Sequence, residues 1–171
     1  YSFALQKKAA AISNIALQKL DMNLGEKIIQ VCDEIILGKL NNHFPLSVWQ
    51  TGSGTQTNMN MNEVIANRSN ELLGKKLGTY KPIHPNDHCN MGQSSNDSFP
   101  TVINITIINL SNNKLVPCLK EFSRVLEKKK NEFSEIIKIG RTHYQDATPL
   151  SLGSEFGAFE SQINHCLVRI N

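Results

Sequence analysis

The stretch LGSEFGAFESQINHCLVRI, residues 152–170, sets Leu152, Phe156, Phe159, Ile163, Leu167 and Ile170 at steps of three and four. That spacing places all six on one face of an α-helix, the longest clean apolar stripe in the chain. Working back from it, Leu115, Leu119, Phe122 and Leu126 repeat the pattern, with Pro117 tolerable in a first turn. Ile103, Ile105 and Ile107 alternate with Asn104 and Thr106 as a strand would, yet Ile103, Ile107 and Leu110 fit a helix equally well. Helical neighbours favour the helix. Nearer the start, Leu24, Ile28, Val31 and Ile35 predict a helix that stops near Gly38. Leu5, Ala9, Ile12, Ala16 and Leu20 predict another, buried along that face. The expected class is all-α.

Composition narrows the function classes. The chain has 171 residues, enough to bury a core, and 40% of them are hydrophobic. No segment is apolar over the roughly 18 positions that a spanning helix needs, so the expectation is a soluble protein with no membrane partner. A net charge of +3 is too mild to argue for nucleic acid. Lys7-Lys8, Lys75-Lys76 and Lys128-Lys129-Lys130 read as solvated helix faces rather than phosphate patches, and no aromatic residues interleave with them. Cys32, Cys89, Cys118 and Cys166 form no CxxC pair. Reduced thiols in a cytosol-like compartment are expected, three of the four packed as small hydrophobes. The chain opens at Tyr1 and closes inside an apolar-periodic stretch, so both ends are read as cut points and a targeting segment could precede it.

Three polar stretches hold the unusual chemistry: Trp49–Thr57, His84–Pro100 and Gly140–Pro149, all expected as loops at helix ends. In the first, Gly52-Ser53-Gly54-Thr55 lets backbone N–H groups approach a ligand, with hydroxyls alongside. A glycine turn with a helix cap explains the same residues. Asn58, Asn60 and Asn62 follow; on a helix at least one faces inward, as a ligand contact or as part of a buried network. In the second, His84, Asp87, His88 and Cys89 are possible metal ligands. Pro85 interrupts a regular helical display and no second cluster completes a zinc spacing, so no metal is expected. Ser94, Ser95 and Asn96 offer uncharged donors and acceptors suited to a small carboxylate, and Asp97 is the expected cap. In the third, His143 sits among Arg141, Thr142, Tyr144, Gln145 and Asp146. A lone histidine is more often structural than catalytic, and its place in a polar loop narrows that preference without reversing it.

Taken together and in order, these stretches resemble the fumarase/aspartase superfamily. Gly52-Ser53-Gly54-Thr55 with Asn58–Val64 is similar to its first characteristic region, and His84–Asp87 with Ser94–Asp97 to its second. Gly140–Pro149 is similar to the third, in its class II fumarase form. The resemblance runs over essentially the whole chain. It implies a homotetramer with a long central helix bundle, and sites assembled from different subunits. It implies reversible hydration of fumarate to L-malate without cofactor or metal. Residues 1–92 would end an N-terminal helical domain, and residues 93–171 would begin the bundle. The compartment implied is the cytoplasm, or the mitochondrial matrix in a eukaryote.

The same resemblance implies roles. Ser53, Gly54 and Thr55, then Ser94, Ser95 and Asn96, and Thr142 would hold the substrate. His143 would work with a water as proton donor or acceptor. Lys81, His84, Pro85, Asn86 and Asp87 would form a secondary dicarboxylate site, with Lys81 where an arginine is usual and the bidentate fork therefore lost. The family's Ser-Ser-x-Met-Pro-x-Lys-x-Asn-Pro loop, which carries the presumed carbon-acid base, does not occur in these residues, nor does the carboxylate thought to polarise the histidine. The chain alone is therefore expected to be inactive. The rivals are an aspartase-like ammonia lyase, which usually has glutamine at the position of His143, and a non-catalytic helical assembly fragment.

Overall fold

The structure, a computed structural model, describes residues 1–170. Six helices are present among them: α1 (Ser2–Ala16), α2 (Met22–Ile36), α3 (Thr55–Leu72), α4 (Ser95–Leu110), α5 (Val116–Glu132) and α6 (Leu152–Ile170). One antiparallel hairpin, β1 (Ile137–Thr142) and β2 (Gln145–Ser151), accompanies them. The chain divides into two compact units, Tyr1–Thr106 and the residues from Ile107 onward.

In the first unit, α1, α2 and α3 enclose the core. Asp21 caps α2, its Oδ1 accepting from the N–H groups of Asn23 and Leu24 at 2.9 and 3.2 Å. Ile28, Val31 and Ile35 then face inward as their spacing predicts, Leu24 is half-buried and Cys32 joins the buried face, and Gly38, at φ 76°, follows the helix end. Each such aliphatic side chain contributes roughly 1.5–3 kcal/mol when fully buried. Arg68 of α3 latches onto α2 with two bonds to Glu34, Nε to Oε2 at 2.8 Å and a terminal nitrogen to Oε1 at 3.2 Å. The bonds from Arg68 hold the Glu34 carboxyl below its ordinary pKa.

The stripe expected for α1 is corrected. Phe3, Ala4, Lys7 and Ala11 are buried, whereas Ala9, Ile12 and Ala16 are exposed. The helix presents a different face because its inner side carries a lysine, which a reading by hydropathy assigns to solvent. α3 has the same character. Its buried face is Asn58, Met61, Asn62, Ile65, Ala66, Ser69 and Asn70, helical in spacing but half polar. Asn70 explains how such a face is tolerated: its amide donates to Ile83 O at 2.8 Å and accepts from Ile83 N at 2.9 Å. That pair fixes the segment leading to a single wide turn at Pro85–Cys89.

In the second unit, a wide turn at Ser111–Leu115 precedes α5, with Pro117 in its first turn. Phe133 and Phe156 meet at 5.3 Å between ring centroids, Lys130 Nζ reaches Glu160 at 3.2 Å, and Ser123 Oγ donates to Asn164 Oδ1 at 2.8 Å. These pairings run in opposite directions along α5 and α6, so the two helices are antiparallel. Residues 140–149, expected as a loop, are a hairpin instead. Gly140 makes it possible: a side chain there would press on Thr148 O at 2.7 Å, at the point where the register slips by one residue. Among the described residues no helix is long and apolar enough to cross a membrane.

Candidate functional site

Gly54 begins the site. It precedes α3 with φ 69°, the left-handed region that glycine tolerates best, and its carbonyl accepts the Asn58 N–H at 3.0 Å. The glycine is buried against the ring of Phe99 in α4. This packing brings the first polar stretch against the second. A row of hydroxyls results: Thr51 Oγ1 to Ser53 Oγ at 3.2 Å, Ser53 Oγ to Thr55 Oγ1 at 3.3 Å, and Thr55 Oγ1 to Ser95 Oγ at 3.2 Å. Thr51, Ser53 and Thr55 are exposed and Ser95 is half-buried, so the row is open to a ligand. The opening N–H groups of α3 have no intrahelical acceptors, and no side chain caps them. Hydroxyls beside free N–H groups at a helix start suit a carboxylate.

Ser94 acts differently from Ser95. Its Oγ accepts the Asn96 N–H at 3.3 Å and its carbonyl accepts from Asp97 and Ser98, so Ser94 caps α4. Asp97, expected as the cap, lies inside the first turn instead. Asn96 is exposed beside it. Sequence reasoning misses Thr51; a hydroxyl two residues before Ser53 is the signal that finds it.

Thr142 and His143 lie in the second unit. Thr142 ends β1 and pairs with Gln145. His143 and Tyr144 form the two-residue turn between the strands, at φ 50° and 61°. That is the pattern of a hairpin turn which Asn and Gly ordinarily occupy. Holding a histidine and a tyrosine there costs about 1–2 kcal/mol per residue. Both are exposed.

At the proposed secondary site, His84 Nδ1 accepts the N–H groups of Asn86 and Asp87 at 3.2 and 3.3 Å, so in this geometry Nδ1 bears no proton. The 3.4 Å contact to Asp87 Oδ2 is therefore not an ion pair in that form. His88 Nδ1 accepts the His84 N–H at 3.0 Å, and Pro85 and Cys89 are buried. Among the described residues no group of three or more His, Cys, Asp or Glu side chains gathers as a metal site. Lys75, Lys76 and Lys81 border an open depression beside Pro82. The cysteines depart from expectation: Cys32 and Cys89 are buried but Cys118 and Cys166 are exposed. Burial pushes the Cys32 thiol up to about 12, and Cys89 is raised for the same reason.

One residue expected as a solvated surface charge is the reverse. Lys7 is 1% exposed. Its Nζ donates to Asn90 Oδ1 at 3.0 Å and to Gln93 Oε1 at 2.9 Å, and burial lowers its pKa to about 8. Its neighbour Lys8 behaves as a surface lysine and pairs with Asp33 at 2.7 Å.

The chain matches one family model, described as lyase, over residues 2–171, and belongs to that lyase family. Within it, the class II fumarate hydratase of Caulobacter vibrioides is 55% identical over 169 residues, covering 99% of this chain and 36% of that protein. The class II fumarate hydratase of Neisseria meningitidis is 52% identical over 171 residues, covering all of this chain and 37% of that protein. The crystal structure of recombinant class II fumarase from Schistosoma mansoni aligns with a TM-score of 0.90 and 46% identity, over 98% of this chain and 35% of that one. A fumarate lyase:delta crystallin from Brucella melitensis aligns at 0.92 and 45%, over 98% and 39%. The chain thus spans little more than a third of the length of the relatives it matches.

Proposed function

We propose that these residues are the part of a class II fumarate hydratase subunit that supplies its carboxylate-binding hydroxyls and its histidine turn. The observation that carries this reading is the hydroxyl row joining Ser53 and Thr55 to Ser95 across two polar stretches. Fumarate is a planar dianion. Neutral hydroxyl and N–H donors grip its carboxylates, and the same donors meet the charge that develops on a carboxylate when the adjacent carbon gains or loses a proton. In the hydration direction, water gives its oxygen to one alkene carbon while a proton is added to the other. His143 takes the proton that water gives up, with Thr142 beside it in contact with the substrate. Ser94 and Asn96 shape the second binding segment. The group that handles the C–H proton lies outside these residues in this reading, as do the partner subunits of a homotetramer. Lys81, His84, Pro85, Asn86 and Asp87 are assigned to a second dicarboxylate site, weakened by lysine in place of arginine. The division of domains near Gly92 belongs to the same proposal.

The test is turnover by a full-length subunit carrying this chain, with fumarate and L-malate in one arm and aspartate in the other. Loss of fumarate absorbance with malate formed supports the proposal. Ammonia release from aspartate with no hydration would replace it by the aspartase reading. Turnover of neither would leave a helical assembly role.

A further inference from the structure

We propose that Lys7 is a positioning residue that orders the Ser94-Ser95-Asn96 segment from behind, through Asn90 and Gln93. This inference rests on the substrate role given to that segment above. Lys7 belongs to α1, which holds none of the assigned site residues. Its ammonium is buried, and among the described residues no carboxylate pairs with it. Two neutral amide oxygens solvate it instead, and the ring of Phe3 lies 5.9 Å away.

Those two oxygens are hubs. Gln93 Oε1 also accepts from Gln6 at 3.1 Å, and Asn90 Oδ1 also accepts from Asn58 and Asn62 at 3.1 and 3.3 Å. Asn90 and Gln93 are in turn clasped to each other: Gln93 N–H donates to Asn90 O at 3.0 Å and Asn90 Nδ2 to Gln93 O at 3.2 Å. Ser94 is the next residue. On the other side, Asn58 stands one helical turn after Thr55 on α3. The Asn90 oxygen therefore links α3, which begins with Thr55, to the segment that carries Ser95. Those are the two residues whose hydroxyls meet at 3.2 Å. Among the donors on these two oxygens Lys7 is the one that carries a charge, so its bonds are the strongest and fix where both amides sit. The side-chain oxygens of Gln6, Asn58 and Asn62 are buried and unpartnered, so this interior is short of donors even with the lysine in place.

The test is Lys7→Met in the full-length subunit carrying this chain, read by hydrogen exchange of residues 89–98 and by kcat and KM for fumarate. Exchange across 89–98 should quicken by about tenfold or more while α2 keeps its protection, the loss expected for charge-assisted hydrogen bonds. KM should rise by about tenfold with kcat changed much less. Lys7→Arg, which keeps the charge and the donors, should recover most of the affinity. Unchanged exchange in 89–98 would overturn the proposal, as would quickened exchange with unchanged KM. Should Lys7→Met fail to fold, Gln93→Ala removes one of the two acceptors while leaving the core intact. It must then quicken exchange in the same segment and raise KM, and normal values for both would overturn the proposal. An unaltered protein with no fumarate turnover defeats the hydratase reading alone, since the exchange comparison still decides whether Lys7 orders the segment.

Discussion

The ring of Phe99 occupies the space that a side chain at Gly54 would need. Forty-five positions apart in the chain, the two residues set the spacing between the start of α3 and the start of α4, and so between Thr55 and Ser95. Any Cβ at Gly54 meets both the ring and an unfavourable φ of 69°. Gly54→Ala should therefore lower stability by about 2–4 kcal/mol, combining left-handed strain with overpacking. Denaturant unfolding measures it; a cost below about 1 kcal/mol would mean that Phe99 moves freely aside.

His143→Gln tests the acid–base assignment. Glutamine keeps a polar side chain but cannot exchange a proton with water. In a full-length hydratase carrying this chain, kcat should fall by about 10²–10⁴. Near-normal turnover would remove His143 from the chemistry.

The turn that carries His143 permits a separate measurement. Tyr144 is exposed with φ 61°, a conformation glycine adopts without strain. Tyr144→Gly should stabilise the protein by up to about 1 kcal/mol, the strain relieved less the added freedom of the unfolded chain. A melting temperature lowered by the change would show that the tyrosine ring contributes packing in the assembled protein.

Lys7 predicts a particular dependence on pH. Its folded pKa, about 8, is below the ordinary 10.5, so the fold disfavours its charged form. The destabilisation is complete below pH 8. It is relieved between pH 8 and 10.5, where the unfolded chain still binds the proton and the folded chain releases it. The buried thiols of Cys32 and Cys89 act oppositely above pH 9, because their folded pKa values are raised. Subtracting the unfolding curve of Lys7→Met removes the thiol contribution to first order. The difference should then show the unaltered protein gaining about 3 kcal/mol at most across that window. A flat difference would mean that Lys7 keeps its ordinary pKa in the fold and stays charged across the window.

Helices whose inner faces are apolar are legible in the sequence. α2 follows Ile28, Val31 and Ile35, and the ambiguous run Ile103–Leu110 is helical, in keeping with its neighbours. α1 and α3 are not legible in the same way, because Lys7, Asn58, Asn62 and Asn70 are buried by hydrogen bonds that periodicity does not register. The hairpin at 137–151 is hidden because Pro149 and Gly140 signal loop, and its turn uses His143 and Tyr144 where asparagine and glycine are usual. The candidate residues Ser53, Thr55 and Ser95 can be named from resemblance. Their meeting cannot, since it depends on Phe99 packing against a glycine 45 positions away.

The row from Thr51 through Ser53 and Thr55 to Ser95 also has a sense of direction. Every member can give one hydrogen and receive another, and nothing in the distances says which way the hydrogens point. An anion arriving at one end accepts a hydrogen bond from the nearest hydroxyl, and that oxygen in turn accepts from the next. The whole file then turns to face the newcomer, each dipole reinforcing the one behind it. A carboxylate bound at Ser53 would in this way be felt at Ser95, and alanine at Thr55 would cut the row between those two while leaving Ser53 in contact with Thr51.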